Sequence, residues 1–347
     1  MSISPVKQRV SGVILVDKPI GMTSQQVVSK VKYLFKSPIH DSKKAGHTGT
    51  LDPMATGLLP VCLGEATKFS HYQLDADKSY QATILLGQQT DTGDADGQVT
   101  AQAAVPELNE ALLDSIAQQF SGAQQQTPPM YSALKKDGKK LYDYARAGIE
   151  IERAARDIVI KDISLILVNA QQLQLTVTCT KGTYVRVLAE DIAKALGTLG
   201  HLIALRRLKT GKFLIDDAIT LPQLEALTLE DRLSQLLSID ACVDIEPKLT
   251  LDAEQCARVR QGQRLNVINQ LTDSLQNYIS TTVAQELATA ENTNQQSSTT
   301  DEETADSQPV LHEVPVDIRL VDEQGQFIGL GAVSLNGRLQ PKKLIQL

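Results

Sequence analysis

Residue types that bind metals or form disulfides are scarce in this chain of 347 residues, and tryptophan is absent. The four cysteines are Cys62, Cys179, Cys242 and Cys256, each far from the others and without a C-x-x-C pair. Neither a zinc finger nor a disulfide framework is therefore indicated. The five histidines show no H-x-x-x-H spacing, so we expect no metal site.

Long apolar runs are also missing, and none approaches the ~18–20 residues that a membrane-spanning helix needs. The opening residues, MSISPVKQRV, lack the apolar core and cleavage site of a signal peptide. We therefore expect a cytoplasmic protein without membrane contact. Neither G-x-x-x-x-G-K-[ST] nor G-x-G-x-x-G occurs, which argues against a P-loop and a Rossmann dinucleotide site.

The formal net charge of −7 is unevenly distributed along the chain. Between Arg264 and Arg319 there are nine acidic residues and no lysine or arginine, so the rest of the chain carries a small positive charge. A nucleic-acid partner is therefore not excluded. Residues 284–308 are polar and contain no aromatic residue, and we predict a disordered, acidic insertion over about 269–312.

The remaining sequence predicts an α+β fold. Residues 12–19 form an apolar, β-branched strand stopped by proline, and Thr23 with Gln26 makes a capping box that starts a helix. Residues 172–180 alternate between apolar and polar side chains, as in a half-buried strand. A helical pattern follows directly and stops at Gly197. The C-terminal residues, from about 316, read as short strands separated by turns.

Asp52 lies in the densest loop pattern of the chain, AGHTGTLDPMATGLLP (residues 45–60). Proline after Asp52 biases the aspartate toward an extended conformation, which can project its carboxylate out of the loop. A structural Asx-turn is the ordinary alternative for an Asp-Pro pair.

Five blocks of the sequence resemble the TruB family of tRNA pseudouridine-55 synthases. In chain order they are GVILVDKPIGMTS (12–24), GHTGTLDPMATGLLP (46–60), KSYQATILLGQQTDTGDADG (78–97), PPMYSALKKDGKKLYDYARAGIEIERAAR (128–156) and KGTYVRVLAEDIAKALG (181–197). The resemblance implies the pseudouridine synthase fold, a mixed sheet with helices around a cleft, over residues 1–249. It further implies an RNA-binding thumb loop at about 124–153 and a small PUA-like RNA-binding domain over 250–347.

The resemblance also implies a reaction without a cofactor, because isomerisation of uridine neither oxidises nor hydrolyses it. The aspartate of the GHTG-x-LDP block is the essential group of the family and corresponds to Asp52. Two routes stay open, attack on the sugar C1′ or abstraction of a sugar proton. Burial raises the pKa of the Asp52 carboxyl, and Arg186 is the implied partner that keeps this carboxylate ionised.

Four further residues match family positions at the RNA substrate. Tyr80 is expected to pack against the flipped uracil, and its hydroxyl to remove the C5 proton at the end. Tyr184 and Leu205 match positions at the same nucleotide, and His47 is expected to lie against the RNA. Without the resemblance, Tyr80 would be read as a core aromatic residue and Arg186 as a surface charge.

Two basic runs are candidates for holding the RNA backbone while the base rotates out of its stack. The first run contains Lys135, Lys136, Lys139 and Lys140, and Gly138 with the entering Pro128-Pro129 suggests a mobile loop. The second contains Arg206 and Arg207. A lysine run is, in general, a solvated face without a ligand.

The resemblance predicts a stand-alone enzyme whose partner is the T-arm stem-loop of tRNA. We expect a monomer, because no apolar helix face in the sequence is left obviously unpaired. Guide-RNA-dependent relatives share the GHTG-x-LDP block but lack the long segment PPMYSALKKDGKKLYDYARAGIE (128–150), so no guide RNA is expected. The alternative is an RNA-binding or tRNA-folding module in which catalysis is secondary. Retention of Asp52, Tyr80 and Arg186 favours the enzyme.

Overall fold

The computed structural model describes residues 7–295 and 312–346. The chain divides into two compact units, one ending at Cys242 and one starting at Val243. The boundary expected from the sequence, 249/250, falls inside a strand of the second unit, Lys248–Thr250, which pairs with Arg319–Val321. No helix of the described ranges is both long and apolar enough to cross a bilayer.

The first unit is built around a mixed sheet of ten strands. The strands described in this unit are β1 (Gln8–Arg9), β2 (Gly12–Lys18), β3 (His40–Asp41), β4 (Ala45–His47), β5 (Thr56–Leu63), β6 (Lys78–Leu86), β7 (Gln88–Thr90), β8 (Val99–Gln102), β9 (Gly122–Gln126), β10 (Lys135–Lys136), β11 (Lys139–Lys140), β12 (Arg156–Asn169), β13 (Gln172–Cys179), β14 (Gly200–Thr210), β15 (Phe213–Leu214) and β16 (Ile219–Thr220). The order in the large sheet is β16-β2-β5-β14-β6-β13-β12-β9, with β4 on β5 and β15 on β14.

Seven α-helices are described in the first unit. They are α1 (Ser24–Leu34), α2 (Ser70–Leu74), α3 (Glu110–Gln119), α4 (Leu141–Arg146), α5 (Val185–Ala195), α6 (Leu221–Ala226) and α7 (Leu229–Ser234). Helix α1 packs on β4 and β5, α3 on β12, and α5 on β14. The loop that leads into β5 and helix α5, which packs on β14, both contribute residues to the candidate site.

Local sequence signals explain where these elements begin and end. The capping box of Thr23 and Gln26 is confirmed, since each side chain accepts from the other residue's backbone N–H. The four apolar residues of β13 are buried, as the alternation predicts. Helix α5 ends at Ala195, two residues before Gly197, whose φ of +80° suits glycine after a helix.

The second unit is a five-stranded sheet with two α-helices. Its elements are β17 (Lys248–Thr250), α8 (Ala253–Arg260), β18 (Leu265–Asn266), α9 (Asp273–Gln295), β19 (Val316–Val321), β20 (Phe327–Val333) and β21 (Arg338–Leu344). The strand order is β17-β19-β20-β21-β18, so β17 and β18 lie at opposite edges. A separate apolar core, which includes Leu249, Val259, Leu320 and Leu339, holds this unit together.

The expectation of a disordered insertion over 269–312 is wrong for its first half. Helix α9 covers Asp273–Gln295 and buries Leu275, Ile279 and Val283 in the second core. These residues are spaced by four, so they form one stripe on the helix, and the sheet supplies the apolar surface that offsets the entropy of ordering it. Residues 296–311 of the predicted insertion lie outside the described residues.

Candidate active site

Asp52 lies in the turn between β4 and β5, and the start of α1 fixes this turn. The hydroxyl of Ser24 accepts from the N–H of Leu51 at 2.8 Å and donates to its carbonyl at 3.0 Å. The N–H of Gly21 donates to the carbonyl of Pro53, and that of Ala55 to the carbonyl of Asp52. The backbone on either side of Asp52 is therefore held before any substrate arrives.

The side chain of Lys18 also fixes this turn. We did not predict this role from the sequence. Its side chain is fully buried, and Nζ donates to the carbonyls of Pro19 (2.9 Å), Pro53 (3.3 Å) and Ala55 (2.6 Å). Burial lowers the pKa of Lys18 to about 8, with the Asp52 carboxylate opposing the change. A lysine at the end of the largely apolar strand β2 is the signal that could have identified it.

Arg186 forms an ion pair with Asp52, as the resemblance implies. It lies in the first turn of α5, is 4% exposed, and its Nε is 3.0 Å from Oδ2 of Asp52. Its Nη1 and Nη2 donate to the carbonyls of Thr92 (2.6 Å) and Tyr131 (2.7 Å). Because these bonds fix the guanidinium, it can hold the carboxylate in one orientation.

Asp94 is a second carboxylate at Arg186, and sequence reasoning did not single it out. Its Oδ2 is 3.6 Å from Nε of Arg186, and its side chain is buried. The hydroxyl of Thr92 and the N–H of Asp96 donate to Oδ1 of Asp94 at 2.6 and 3.2 Å. The Asp94 carboxylate thus accepts hydrogen bonds within its own turn and pairs with Arg186. The Asp52 side chain, by contrast, remains 36% exposed.

The electrostatics at Asp52 are a balance of opposing effects. Burial raises the pKa of the Asp52 carboxyl, the guanidinium of Arg186 lowers it, and Asp94 raises it; the net direction is upward. A raised pKa makes the carboxylate more basic than a solvated aspartate. The site therefore presents a carboxylate that is anchored by Arg186 and still partly accessible.

Arg207 is buried beneath this loop, which corrects the expectation that it contacts the RNA backbone. It is 1% exposed, and its guanidinium donates to the carbonyls of Gly49 (3.2 Å), Thr50 (3.5 Å) and Leu58 (2.8 Å). The physical reason is its register in β14, where it lies opposite Gly57 of β5 and Tyr80 of β6. Arg207 thereby joins both ends of the Asp52 loop to the central sheet.

Arg206 is also occupied, although it is more accessible. Its guanidinium makes a bidentate pair with Asp17, with Nη2 2.8 Å from Oδ2 and Nη1 3.0 Å from Oδ1. The Arg206 side chain is 39% exposed, so this is a surface ion pair between β14 and β2. Contact of Arg206 with RNA stays a prediction.

Tyr80 and Leu205 lie on the paired strands β6 and β14, and Tyr184 lies at the start of α5. In the pairing of β14 with β6, Leu205 lies opposite Ala82, two residues from Tyr80. Burial raises the pKa of Tyr80, while a hydrogen bond and the charge of Arg207 oppose that rise. Burial also raises the pKa of Tyr184, which precedes α5. Both phenols are therefore neutral at physiological pH, and their roles toward a nucleotide stay predictions.

His47 is neutral as well. Burial lowers its pKa, and the charge of Arg207 lowers it further. Its Nδ1 accepts from the N–H of Gly49 at 3.3 Å, so the ring proton belongs on Nε2. An imidazole in this form can donate one hydrogen bond from Nε2. Its expected contact with RNA stays a prediction.

The segment expected to be a mobile thumb loop contains regular structure. Lys135, Lys136, Lys139 and Lys140 form the hairpin β10–β11, which turns at Asp137 and Gly138, both with positive φ. Such an Asp-Gly turn is a favoured hairpin connection. Nζ of Lys139 lies 4.6 Å from the ring centre of Tyr144, and that of Lys140 lies 5.1 Å from that of Tyr142.

The three lysines that precede Lys140 are exposed, and no carboxylate is paired with any of the four within the described ranges. The carbonyl of Tyr131 at the base of this segment accepts from Arg186, so the segment is tied to the candidate active site. No group of three or more His, Cys, Asp or Glu side chains suited to a metal occurs in the described part of the chain.

Solved structures identify the class of the fold. The chain is similar to a protein in a Cbf5–Nop10–Gar1 complex, with 22% identity, a TM-score of 0.64, and coverage of 96% of this chain and 84% of the other. It is also similar to a chain in an H/ACA ribonucleoprotein bound to a substrate RNA, with 20% identity and a TM-score of 0.62, covering 97% and 85% of the two chains. The architecture is the pseudouridine synthase fold.

Sequence comparison assigns the family. The model for the N-terminal domain of the TruB family pseudouridylate synthases matches residues 37–185, and two models for C-terminal TruB domains match residues 186–244 and 308–345. Proteins called tRNA pseudouridine synthase B are 73% identical in Psychrobacter cryohalolentis, over 99% of this chain and 96% of the relative, and 40% identical in Methylobacillus flagellatus, over 100% and 99%. The chain belongs to the TruB family of pseudouridylate synthases.

Proposed function

We propose that this protein is a stand-alone tRNA pseudouridine synthase that converts uridine 55 of the T loop into pseudouridine, with Asp52 as its catalytic carboxylate. The observation that carries the proposal is the Asp52–Arg186 pair, in which one carboxylate oxygen is held at 3.0 Å while the side chain stays 36% exposed. The full-length relatives named tRNA pseudouridine synthase B support tRNA as the substrate.

The reaction requires the uridine to leave its stack, because a stacked base cannot reach a carboxylate in a cleft. Leu205 on β14 lies opposite Ala82 and diagonally across from Tyr80 on β6, and we expect the extruded uracil to pack against these two side chains. Lys135, Lys136, Lys139 and Lys140 offer positive charge for the phosphates of the stem-loop. Within the described residues, these lysines have no carboxylate partner, which supports that role.

Asp52 acts on the ribose of the extruded uridine so that the C1′–N1 bond breaks. The freed uracil turns, a C1′–C5 bond forms, C5 loses its proton and N1 gains one, so that the product is an isomer of the substrate. No oxidant, water or metal enters this balance. Arg186 keeps the carboxylate in position. Tyr80 is the proposed acceptor of the C5 proton, and because its raised pKa keeps it neutral, its hydroxyl passes its own proton on to N1 as it takes up the one from C5.

Tritium release tests the position of the modified uridine. We expect the protein to release tritium from a T-arm stem-loop whose only C5-labelled uridine is at position 55. A stem-loop labelled at a different loop uridine, with position 55 unlabelled, is the matched control and should release none. Release from the control but not from the first substrate would contradict the assignment of position 55.

A tRNA-folding activity is separable from catalysis and forms the second candidate function. Because Asp52 is only partly buried, Asp52→Asn is expected to fold normally. If opening of the tRNA elbow helps misfolded tRNA to refold, this variant should accelerate folding as the wild type does. A variant that binds tRNA but does not accelerate its folding would remove this second function.

A further inference from the structure

The guanidinium of Arg207 is a buried cation without an opposite charge beside it. Among the residues that the structure describes, it forms no ion pair, and Nε, Nη1 and Nη2 donate to main-chain carbonyls. Arg186, the other buried arginine of the site, pairs with Asp52 and Asp94. A buried charge is costly to hold unpaired, and attaching a loop to a sheet needs donors but no net charge. The charge of Arg207 therefore points to a further use.

The register of the central sheet brings Arg207 next to Tyr80. Arg207 of β14 lies opposite Tyr80 of β6, so the two side chains leave the same face of the sheet as neighbours. On its other side Arg207 lies opposite Gly57 of β5. A Cβ at Gly57 would come within 2.3 Å of the carbonyl oxygen of Arg207, so glycine permits this close approach. Two neighbouring strands thus fix the place of Arg207 beside Tyr80.

A hydrogen bond joins the side chains of Arg207 and Tyr80. A guanidinium has donors but no acceptor, so the phenolic oxygen accepts in this bond. The hydroxyl proton of Tyr80 therefore points away from Arg207. Burial raises the pKa of Tyr80, and both this bond and the charge of Arg207 lower it. The cation thus acts directly on the oxygen of Tyr80, which is only half-buried.

The proton transfer proposed for Tyr80 makes two demands on this oxygen. Its O–H bond needs a fixed direction, because one proton leaves the oxygen while another arrives. Negative charge that develops on the oxygen between these events also needs a nearby cation. The bond from Arg207 meets both demands, since it occupies one lone pair of the oxygen and places a positive charge beside it. Such a charge acts more strongly in a buried site than in water.

We propose that Arg207 is a positioning residue for Tyr80 that supports loss of the C5 proton, in addition to attaching the Asp52 loop to the sheet. The inference rests on the proposed function, because it concerns the proton transfer at Tyr80. In that step the C5–H bond breaks and its electron pair enters the uracil ring. The phenolic oxygen gains this proton, and its own O–H proton goes to N1. Arg207 remains a guanidinium throughout, so no further reactant is needed.

The first measurement is made on the free protein with ¹³Cζ-labelled tyrosine. The NMR signal of Tyr80 is assigned by its loss in Tyr80→Phe, and Arg207→Gln should shift this signal. Arg232→Gln is the matched control, because Arg232 also lies in the first unit and donates from Nε, Nη1 and Nη2 to main-chain carbonyls at 2.6 to 2.9 Å. It should leave the Tyr80 signal in place. Arg207→Lys keeps a cation at this position and should fold even if Arg207→Gln does not; it should show the same changes at smaller size.

The second measurement compares single-turnover isomerisation of T-arm stem-loops that carry hydrogen or deuterium at C5 of uridine 55. Arg207→Gln should slow the C5 step about 10-fold, the effect of losing one hydrogen bond to a charged group. Its deuterium isotope effect should therefore exceed that of the wild type. In the Tyr80→Phe background the same substitution should not raise the isotope effect further. Arg232→Gln should show the wild-type isotope effect.

Two outcomes would overturn the inference. If the Tyr80 signal stays in place in both Arg207 variants, Arg207 does not act on the phenol. If turnover falls but the isotope effect does not rise above the wild-type value, Arg207 acts only through the Asp52 loop, because a slower step at Asp52 masks the C5 step. A wild-type protein that does not isomerise uridine 55 would contradict the proposed function and with it the role in C5 proton loss, whereas the NMR signal would still report the contact of Arg207 with Tyr80.

Discussion

Lys139 and Lys140 lie on the surface of the first unit, against tyrosine rings, whereas Arg186 and Arg207 lie inside it. The outer cations have no carboxylate partners within the described ranges, so they keep the capacity to bind phosphate. The inner cations use their donors on main-chain carbonyls and on Asp52. The difference teaches that a cation stays available to bind an anion where water reaches it, and that it fixes the backbone of a loop where water does not.

Arg186→Gln should have the largest effect, because it removes the cation that opposes the upward shift of the Asp52 pKa. We expect turnover to fall about 100-fold or more. In the proposed function the carboxylate is the active form, so activity is expected to fall as pH drops through the pKa of Asp52. Without Arg186 that pKa rises further, and the acidic limb of the rate profile moves to higher pH. An acidic limb at the wild-type position would contradict this account.

Arg207→Gln should destabilise the first unit, because it leaves the carbonyls of Gly49, Thr50 and Leu58 without their buried donor. We expect the free energy of unfolding to fall by about 3 kcal/mol, measured by urea denaturation. Turnover should also fall, because the Asp52 loop loses its attachment to β14. A stable variant with weakened tRNA binding would show instead that Arg207 is a surface ligand.

The double variant Lys139→Glu with Lys140→Glu reverses charge on the β10–β11 hairpin and should weaken tRNA binding. We expect the Kd for tRNA to rise about 10-fold or more and its salt dependence to weaken, as measured by filter binding at several salt concentrations. Lys32→Glu with Lys36→Glu, two exposed lysines at the end of α1, makes the same charge change and is the control. Equal effects of the two double variants would show that only net charge matters.

Arg206→Gln should have the smallest effect. It removes a surface ion pair with Asp17, which contributes about 1 kcal/mol or less to stability. Comparing the free energies of unfolding of this variant and Arg207→Gln isolates the effect of burial, because adjacent residues of one strand receive the same substitution. If urea denaturation shows that the two variants are equally destabilised, burial does not determine how much these two arginines contribute to stability.

Local patterns predicted much of the fold. The capping box at Thr23, the alternation of β13 and the glycine after α5 depend on neighbours in the chain, so short-range rules identified them. The stripe of Leu275, Ile279 and Val283 was misjudged, because composition alone does not show that a sheet is available to cover an apolar face. The ordering of α9 depends on that distant sheet.

The candidate site was predictable only in part. The Asp52–Arg186 pair followed from the resemblance, and the contact between these distant residues is present. Lys18 and Asp94 were missed, and Arg207 was assigned to the surface. Whether a charged residue faces inward depends on strand register, such as the alignment of Arg207 with Gly57. A basic run in the sequence does not reveal that register.

The most direct test of the central claim compares tritium release by the wild type and by Asp52→Asn on a C5-labelled T-arm stem-loop. The C5 proton must leave during isomerisation, so release reports the reaction itself, and stem-loop binding by both proteins serves as the control for folding. The account predicts release by the wild type and none by Asp52→Asn at similar affinity. Release by Asp52→Asn at the wild-type rate would contradict it, because the Asp52 carboxylate would then not carry the chemistry.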